Sequence, residues 1–279
     1  DTAGVNVRGL SKRRLESDRW AAPRRNFTFF QIAEAGDLRG ITDVKQGFGL
    51  DVVPFFHADW ANDRTGTSDD DLSGKPGLDA FYRITPNLTA ILTVNTDFAE
   101  TEVDERQINL TRFPLFFPEK RDFFLENAGI FQFANLGHDL IPFFSRRIGL
   151  DDAGNEIPIL IGGKVTGRVG DWNIGVLDVE TDASGTLPEK NLFVTRISRN
   201  VGEQSTVGGI FTSGNPTGDA DNQLFGLDYN FRTSSLGGDQ NLTASVFGLE
   251  TSSEGASGGD LAFGASVEYP NDPWLASLS

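Results

Sequence analysis

The sequence predicts an all-β fold, an antiparallel up-and-down barrel whose run of strands is interrupted by a phenylalanine-rich plug. Three observations predict it. From residue 47 onward the chain breaks into segments of about 8 to 12 residues with period-two alternation, the spacing that sends successive side chains to opposite faces of a strand. The connections alternate between short turns such as Gly170-Asp171 and longer, acidic, Gly-rich loops at 182–189, 215–222 and 251–260. One stretch, 97–140, does not alternate and is loaded with Phe.

Composition sets the outer limits. The chain has 279 residues, with 32 Gly, 23 Phe, no Cys and no Met, and 40 acidic against 24 basic side chains for a formal charge of −16. That length suits one large β domain or two ordinary ones with a real core. Without Cys there is no disulfide framework, thiolate nucleophile or Cys-ligated metal, so bridges say nothing about redox compartment. Nucleic acid is not an expected partner, because a polyanion needs a basic patch that releases counterions and the longest basic run is Lys12-Arg13-Arg14. No segment approaches the roughly 18 consecutive apolar residues of a transmembrane helix, so any membrane role has to come from strands or the surface. The absence of an initiator Met or a leader at Asp1, and a strand-like ending at 273–279, lead us to expect a truncated chain.

Taken in order, residues 1–46 form a zone of their own. A basic cluster from Arg8 to Arg25 with Trp20 and Pro23 precedes a short amphipathic piece at 31–44, which reads as a domain edge and a linker. Strands are then expected at 49–60, 77–84, 88–95, 141–148, 159–169, 172–181, 191–200, 205–213, 223–231, 240–251 and 261–269, with a last one begun at Trp274. Thr85-Pro86-Asn87 turns one strand directly into the next. In 223–231, Phe225, Leu227, Tyr229 and Phe231 share one face and Gly226, Asp228 and Asn230 the other. In 261–269, Leu261, Phe263, Ala265, Val267 and Tyr269 oppose Ala262, Gly264, Ser266 and Glu268.

The alternation by itself suits both a soluble sandwich and a membrane barrel. In a sandwich the second face meets bulk water and should carry Lys and Glu, whereas here it is mostly Gly, Ser, Thr, Asn and Asp with an occasional Arg, which suits a crowded, wet lumen. Trp60, Trp172, Tyr229, Phe231, Tyr269 and Trp274 at strand ends fit interfacial girdles, although aromatics also end strands in soluble sheets. The face argument favours the barrel and leaves the sandwich open.

The segment 97–140 supplies Phe113, Phe116, Phe117, Phe123, Phe124, Phe131 and Phe133, too much apolar surface for a solvated loop, while Pro114 and Pro118 forbid a continuous helix. A covered aromatic buries about 150–250 Å², so the segment is expected to fold into the lumen or its periplasmic mouth as a plug or constriction. Glu119, Lys120, Arg121, Asp122, Glu126, Arg146 and Arg147 are then candidates for ion pairs among themselves and with lumen charges, pegging the plug or touching a substrate.

The run Asn109-Leu-Thr-Arg-Phe-Pro-Leu-Phe-Phe-Pro-Glu-Lys-Arg-Asp-Phe-Phe-Leu-Glu-Asn127, preceded by 88–98 and followed by Phe143-Phe-Ser-Arg-Arg-Ile-Gly149, resembles an uncharacterised bacterial outer-membrane family. The likeness continues through Gly162-Gly-Lys-Val-Thr-Gly167, Arg196 and Asn271-Asp-Pro-Trp274, covering roughly residues 30–279. In that family a β-barrel of unknown function follows an N-terminal sandwich similar to family-nine carbohydrate-binding modules. The resemblance therefore implies that residues 1–30 are the C-terminal edge of such a sandwich, 31–46 a linker, and 47–279 an incomplete transmembrane barrel in the outer membrane of a Gram-negative cell. It implies no catalytic residues.

Other chemistry is poorly supported. Gly255-Ala-Ser-Gly-Gly259 satisfies G-x-S-x-G, but it lies in a Gly/Ser loop without the strand-to-helix turn that exposes a nucleophile, and His57 and His138 lack evident partners. Two His without Cys make a poor zinc site. The acidic turns at 69–71, 151–156 and 218–222 lack the ligand spacing of a calcium loop and read as solvated. Asp104 and Glu105 are adjacent and so point apart on a strand, the Asn241 sequon carries no meaning in a bacterium, and no phosphate loop or dinucleotide fingerprint occurs.

We therefore expect an outer-membrane barrel working in transport or surface handling of a polymer. Its partners are the lipid bilayer and a polysaccharide or oligosaccharide, with no metal or other cofactor. Two alternatives stand beside it: a barrel-associated glycan hydrolase using Glu119, Asp122 or Glu126 as acid or base, and a soluble carbohydrate-binding β protein. The latter requires the Phe225, Leu227, Tyr229 and Phe231 row to be buried against a second sheet.

Overall fold

The computed structural model describes residues 2–11, 13, 16–21, 36–40, 48–61, 71–96, 119–134, 136, 140–151, 156–185, 187–218, 220–255 and 258–279. Four short strands come first: β1 (Thr2–Val5), β2 (Arg8–Ser11), β3 (Glu16–Arg19) and β4 (Gly36–Arg39). β1 pairs with β4 and β2 with β3, so the segment read as a linker contributes a strand.

The rest is one antiparallel sheet. Its strands are β5 (Leu50–Ala61), β6 (Asp71–Thr85), β7 (Leu88–Thr96), β8 (Ile159–Val169), β9 (Trp172–Thr181), β10 (Lys190–Val201), β11 (Ser205–Ser213), β12 (Asn222–Leu236), β13 (Gln240–Ser253), β14 (Asp260–Pro270) and β15 (Leu275–Leu278). They form an 11-stranded meander in which every strand pairs with its neighbour in sequence, and β5 and β15 are the edges. Short turns at 86–87, 170–171, 202–204, 237–239 and 271–274 lie along one rim, and the longer connections along the other.

The faces of this sheet are inverted relative to a soluble one. On β12, Phe225 and Leu227 are 54% and 56% exposed while the alternate residues Gly226 and Asp228 are buried; on β14, Leu261 and Phe263 are 70% and 78% exposed. On β8, Ile161 and Val169 face out while Gly162, Lys164 and Thr166 are buried. Of the row expected to be covered by a second sheet in the soluble alternative, Phe225, Leu227 and Tyr229 are exposed and Phe231 is half-buried.

The buried face is covered by the segment after β7. The described part runs through α1 (Asp122–Leu125) and 3-10 turns at Ala128–Phe131 and Ser145–Arg147. Phe123, Phe124, Phe131 and Ile148 form a core with Ile91, Ile159, Leu177, Val179, Leu192 and Val194 of the sheet, and Phe133 and Ala134 form another with Ile210 and Leu249. Phe113, Phe116 and Phe117 lie outside the described residues. The strand expected at 141–148 is absent: Pro142 has no N–H for a ladder, and the carbonyls of Ser145 and Ile148 turn to Arg121 instead.

Candidate functional site

The insert is, topologically, the loop of a hairpin. β7 and β8 pair with Thr96 opposite Ile159, so residues 97–158 leave and rejoin the sheet at adjacent points. The described portion first follows β8 away from that rim. A Cβ on Gly162 would stand 3.0 Å from Phe123 Cζ, and four residues further along both chains Asn127 Nδ2 donates to Thr166 Oγ1 at 3.2 Å. It then crosses the strands: a Cβ on Gly175 of β9 would meet Ile130 Cγ2 at 2.8 Å, and one on Gly226 of β12 would meet Phe133 Cζ at 2.9 Å. Glycine at these inward positions makes room for the aromatic rings.

Three charged groups hold this path. Lys164, buried on β8, donates from Nζ to the carbonyls of Phe123 and Glu126, the latter at 2.7 Å, and stands 5.3 Å from the centroid of the Phe123 ring. A cation there meets carbonyls that α1 leaves unpaired at its end.

Arg196 on β10 reaches across β11 to Asp228 on β12. Nη2 donates to Oδ2 at 2.8 Å, and Nη1 lies 2.6 Å from Oδ1 as an ion pair without hydrogen-bond alignment. The guanidinium passes over Gly208, where a Cβ would stand 2.8 Å from Nη1. The same two side chains hold the insert backbone: Arg196 Nε donates to the Gln132 carbonyl at 3.1 Å, and the Ala134 N–H donates to Asp228 Oδ2 at 3.0 Å.

Glu119 and Arg121 close the insert on itself. Arg121 Nε and Nη2 each donate to Glu119 at 2.7 Å, Nη1 donates to the Ile148 carbonyl at 2.5 Å and Nη2 also to Ser145 O at 2.7 Å. Glu119 further accepts from the Lys120 and Arg121 N–H groups and from Ser145 Oγ. Burial pushes the Glu119 carboxyl up, but the hydrogen bonds and charge of Arg121, with the Ser145 hydroxyl, outweigh it and hold the group below the ordinary glutamate range.

Of the remaining sequence-selected residues, Asp122 and Arg147 are exposed, and Lys120, Glu126 and Arg146 are half-buried. Glu126 joins the Lys164 contact through its backbone carbonyl. Lys164, Arg196 and Asp228, which anchor the insert, were not singled out as site residues. Each is a charge on the buried face of its strand, and that is the signal available for it. Among the described residues no group of His, Asp and Glu is arranged to hold a metal.

Two cavities flank the crossing. One of about 600 Å³ is mainly aromatic and aliphatic, bounded by Phe124, Phe131, Phe133, Leu140, Phe143 and Leu177 with Glu119 and Lys164 in its wall. The other, of about 340 Å³, lies toward the short-turn rim and is lined by amides, hydroxyls and the Arg196 guanidinium.

A family model described as Domain of unknown function (DUF5916) matches residues 48–159, from just before β5 through the insert to the first residue of β8. The chain is thus similar to an uncharacterised family over that span, as the resemblance implied to that extent. No curated protein matches the chain.

Proposed function

We propose that the meander is the wall of an outer-membrane β-barrel with the Phe-rich insert as its plug, working in transport or surface handling of a polymer, a saccharide being the leading class. The observation that carries this reading is the inversion of the faces: rows of Phe, Leu and Val open to the surroundings, opposite buried Lys164, Arg196 and Asp228. Hydrocarbon is the cover that makes such rows favourable, since each large apolar side chain left in water forfeits about 1.5–3 kcal/mol. Closure into a barrel is supported by the edges, because β5 is long and itself carries exposed Val52, Val53 and Phe56, and a strand edge in a bilayer cannot remain unpaired. Short turns on one rim and long connections on the other are the pattern of outer-membrane barrels.

The hydrolase alternative draws less from the site. Glu119 is held as a carboxylate by Arg121, the opposite of what a general acid needs, and Asp122 is exposed.

Membrane fractionation of Leu227→Arg tests the proposal. An arginine at the bilayer midplane costs about 2–4 kcal/mol, less near an interface. The variant is expected to lose detergent-extractable, folded protein, while Gly163→Ala on the same outward side of β8, with open space around its Cβ, keeps it. Wild-type protein recovered without detergent in the soluble periplasmic fraction would sink the membrane reading.

A further inference from the structure

The polar cavity on the short-turn side of the insert has a chemistry of its own. Its wall includes Gln132 of the insert, Asn173 and Ser198 of β9 and β10, Thr206 of β11, and Asn230 and Phe231 of β12. Hydrogen bonds orient the amides. Asn173 Nδ2 donates to Ser198 Oγ at 3.2 Å and to Asn200 Oδ1 at 3.1 Å, which leaves its own Oδ1 as the free acceptor of that amide. Asn230 Nδ2 donates to Asp228 Oδ2 at 2.7 Å, and since only the amide nitrogen can face a carboxylate that closely, the assignment of Oδ1 is settled. Asn230 Oδ1 is thereby a buried acceptor that no protein donor meets.

A buried acceptor left unmet carries its desolvation penalty uncompensated, so the cavity favours an occupant rich in O–H or N–H donors. Charge narrows the class further. The buried cation in the wall, Arg196, is already neutralised by Asp228, Arg232 is exposed, and a chain of formal charge −16 repels anions. No Asp or Glu appears among the described lining residues to hold a cation. At about 340 Å³ the cavity falls within the range of small-molecule pockets.

We infer that this cavity, bounded by Gln132, Asn173, Thr206 and Asn230, is a binding subsite for a neutral polyhydroxylated ligand, a sugar residue whose hydroxyls donate to the Asn173 and Asn230 carbonyl oxygens. The inference rests on the plugged-barrel reading for how a saccharide would reach the site, and on the cavity itself for its chemistry.

Calorimetric titration of the detergent-solubilised protein with maltose, cellobiose and N-acetylglucosamine tests it, with tetraethylene glycol as a donor-poor control. At least one sugar is expected to saturate, and Asn230→Leu and Asn173→Leu are each expected to weaken it by about tenfold, the loss of roughly one good hydrogen bond with its acceptor's share of desolvation. Should Asn230→Leu fail to fold, because Asn230 also braces Asp228, Asn173→Leu decides, being outside that network. The subsite is overturned if no sugar saturates, if tetraethylene glycol binds equally, or if binding survives Asn173→Leu unchanged. A protein that fractionates as a membrane barrel but binds none of the sugars loses the subsite and keeps the barrel; one that binds them while soluble without detergent does the reverse.

Discussion

Arg196 and Asp228 show how a single pair of charges can organise two levels of structure. They bridge β10 and β12 and, through the Gln132 carbonyl and the Ala134 N–H, hold the insert to the wall. Removing one member leaves the other buried and uncompensated, a loss of about 3–5 kcal/mol, whereas replacing both by apolar groups of similar volume is often close to neutral. Arg196→Met and Asp228→Leu singly are therefore expected to free the insert to protease, and the double variant to recover part of the protection; equal cleavage in all three would refute the coupling. Glu119 carries a pH dependence of known sign. Its folded-state carboxyl lies below the ordinary glutamate value, so its contribution is present above that value and is lost as pH falls through the lower folded-state one. Amide protection factors across 119–148, taken relative to the intrinsic exchange rate at each pH, are expected to fall as pH drops below the ordinary glutamate range, and in Glu119→Gln to be lower already at neutral pH with a flatter profile. A wild-type profile unchanged by acid would remove Glu119 from the hold. In the sequence, Glu119 and Arg121 announced themselves as members of a dense charged cluster. Lys164, Arg196 and Asp228 carry no local pattern, because their partners lie 38 or more positions from Lys164 and 32 apart in the other pair.

At the scale of elements, the strands were legible because period-two alternation is a local property. Ile159–Val169, Trp172–Thr181 and Ser205–Ser213 end where alternation and turn residues place them. β6 and β12 run longer than their alternating cores, since ladder pairing extends into Asp71–Pro76 and Arg232–Leu236, where the side-chain pattern fades. The expected strand at 141–148 failed for a non-local reason, the demand of Arg121 for its carbonyls. Also hidden was the apolar patch on the inward face, made by Leu177, Val179, Leu192 and Val194 beneath the insert. Its trace is the uninterrupted Leu192-Phe193-Val194, the kind of run found in strands covered on both sides. The inward glycines complete that fit and invite a contrast between adjacent positions of β8. Gly162→Val would drive into Phe123 and Thr93 Cγ2, 2.9 Å from the added Cβ, and is expected to cost about 1–3 kcal/mol as overpacking, while Gly163→Ala meets open space. Unfolding in denaturant would separate them, and equal midpoints would show that Phe123 yields without cost.

The whole molecule is a repetitive wall with one large departure from repetition. Within the large sheet every other connection spans nine residues or fewer, and the 97–158 excursion starts and ends at a paired rung, Thr96 opposite Ile159. Sheet and insert are thus separable in topology, although the buried Phe rings join them energetically. This separability distinguishes the membrane barrel from a soluble sheet whose core is built on the insert. Replacing residues 97–158 by a two-residue Asn-Gly turn, which suits the right-handed twist of a hairpin, leaves the ladder uninterrupted and exposes Leu177, Val179, Leu192, Val194, Lys164 and Arg196. Inside a barrel those groups would face a wet lumen, with the outward rows still covered by lipid, so the shortened protein is expected to remain detergent-extractable and to conduct small ions across a planar bilayer far better than the parent. In a soluble sheet the same deletion strips the apolar face of the cover that the described insert residues give it and drives aggregation. A shortened protein that inserts but conducts no more than the parent would mean that the insert does not obstruct the lumen, and would confine its role to bracing the wall.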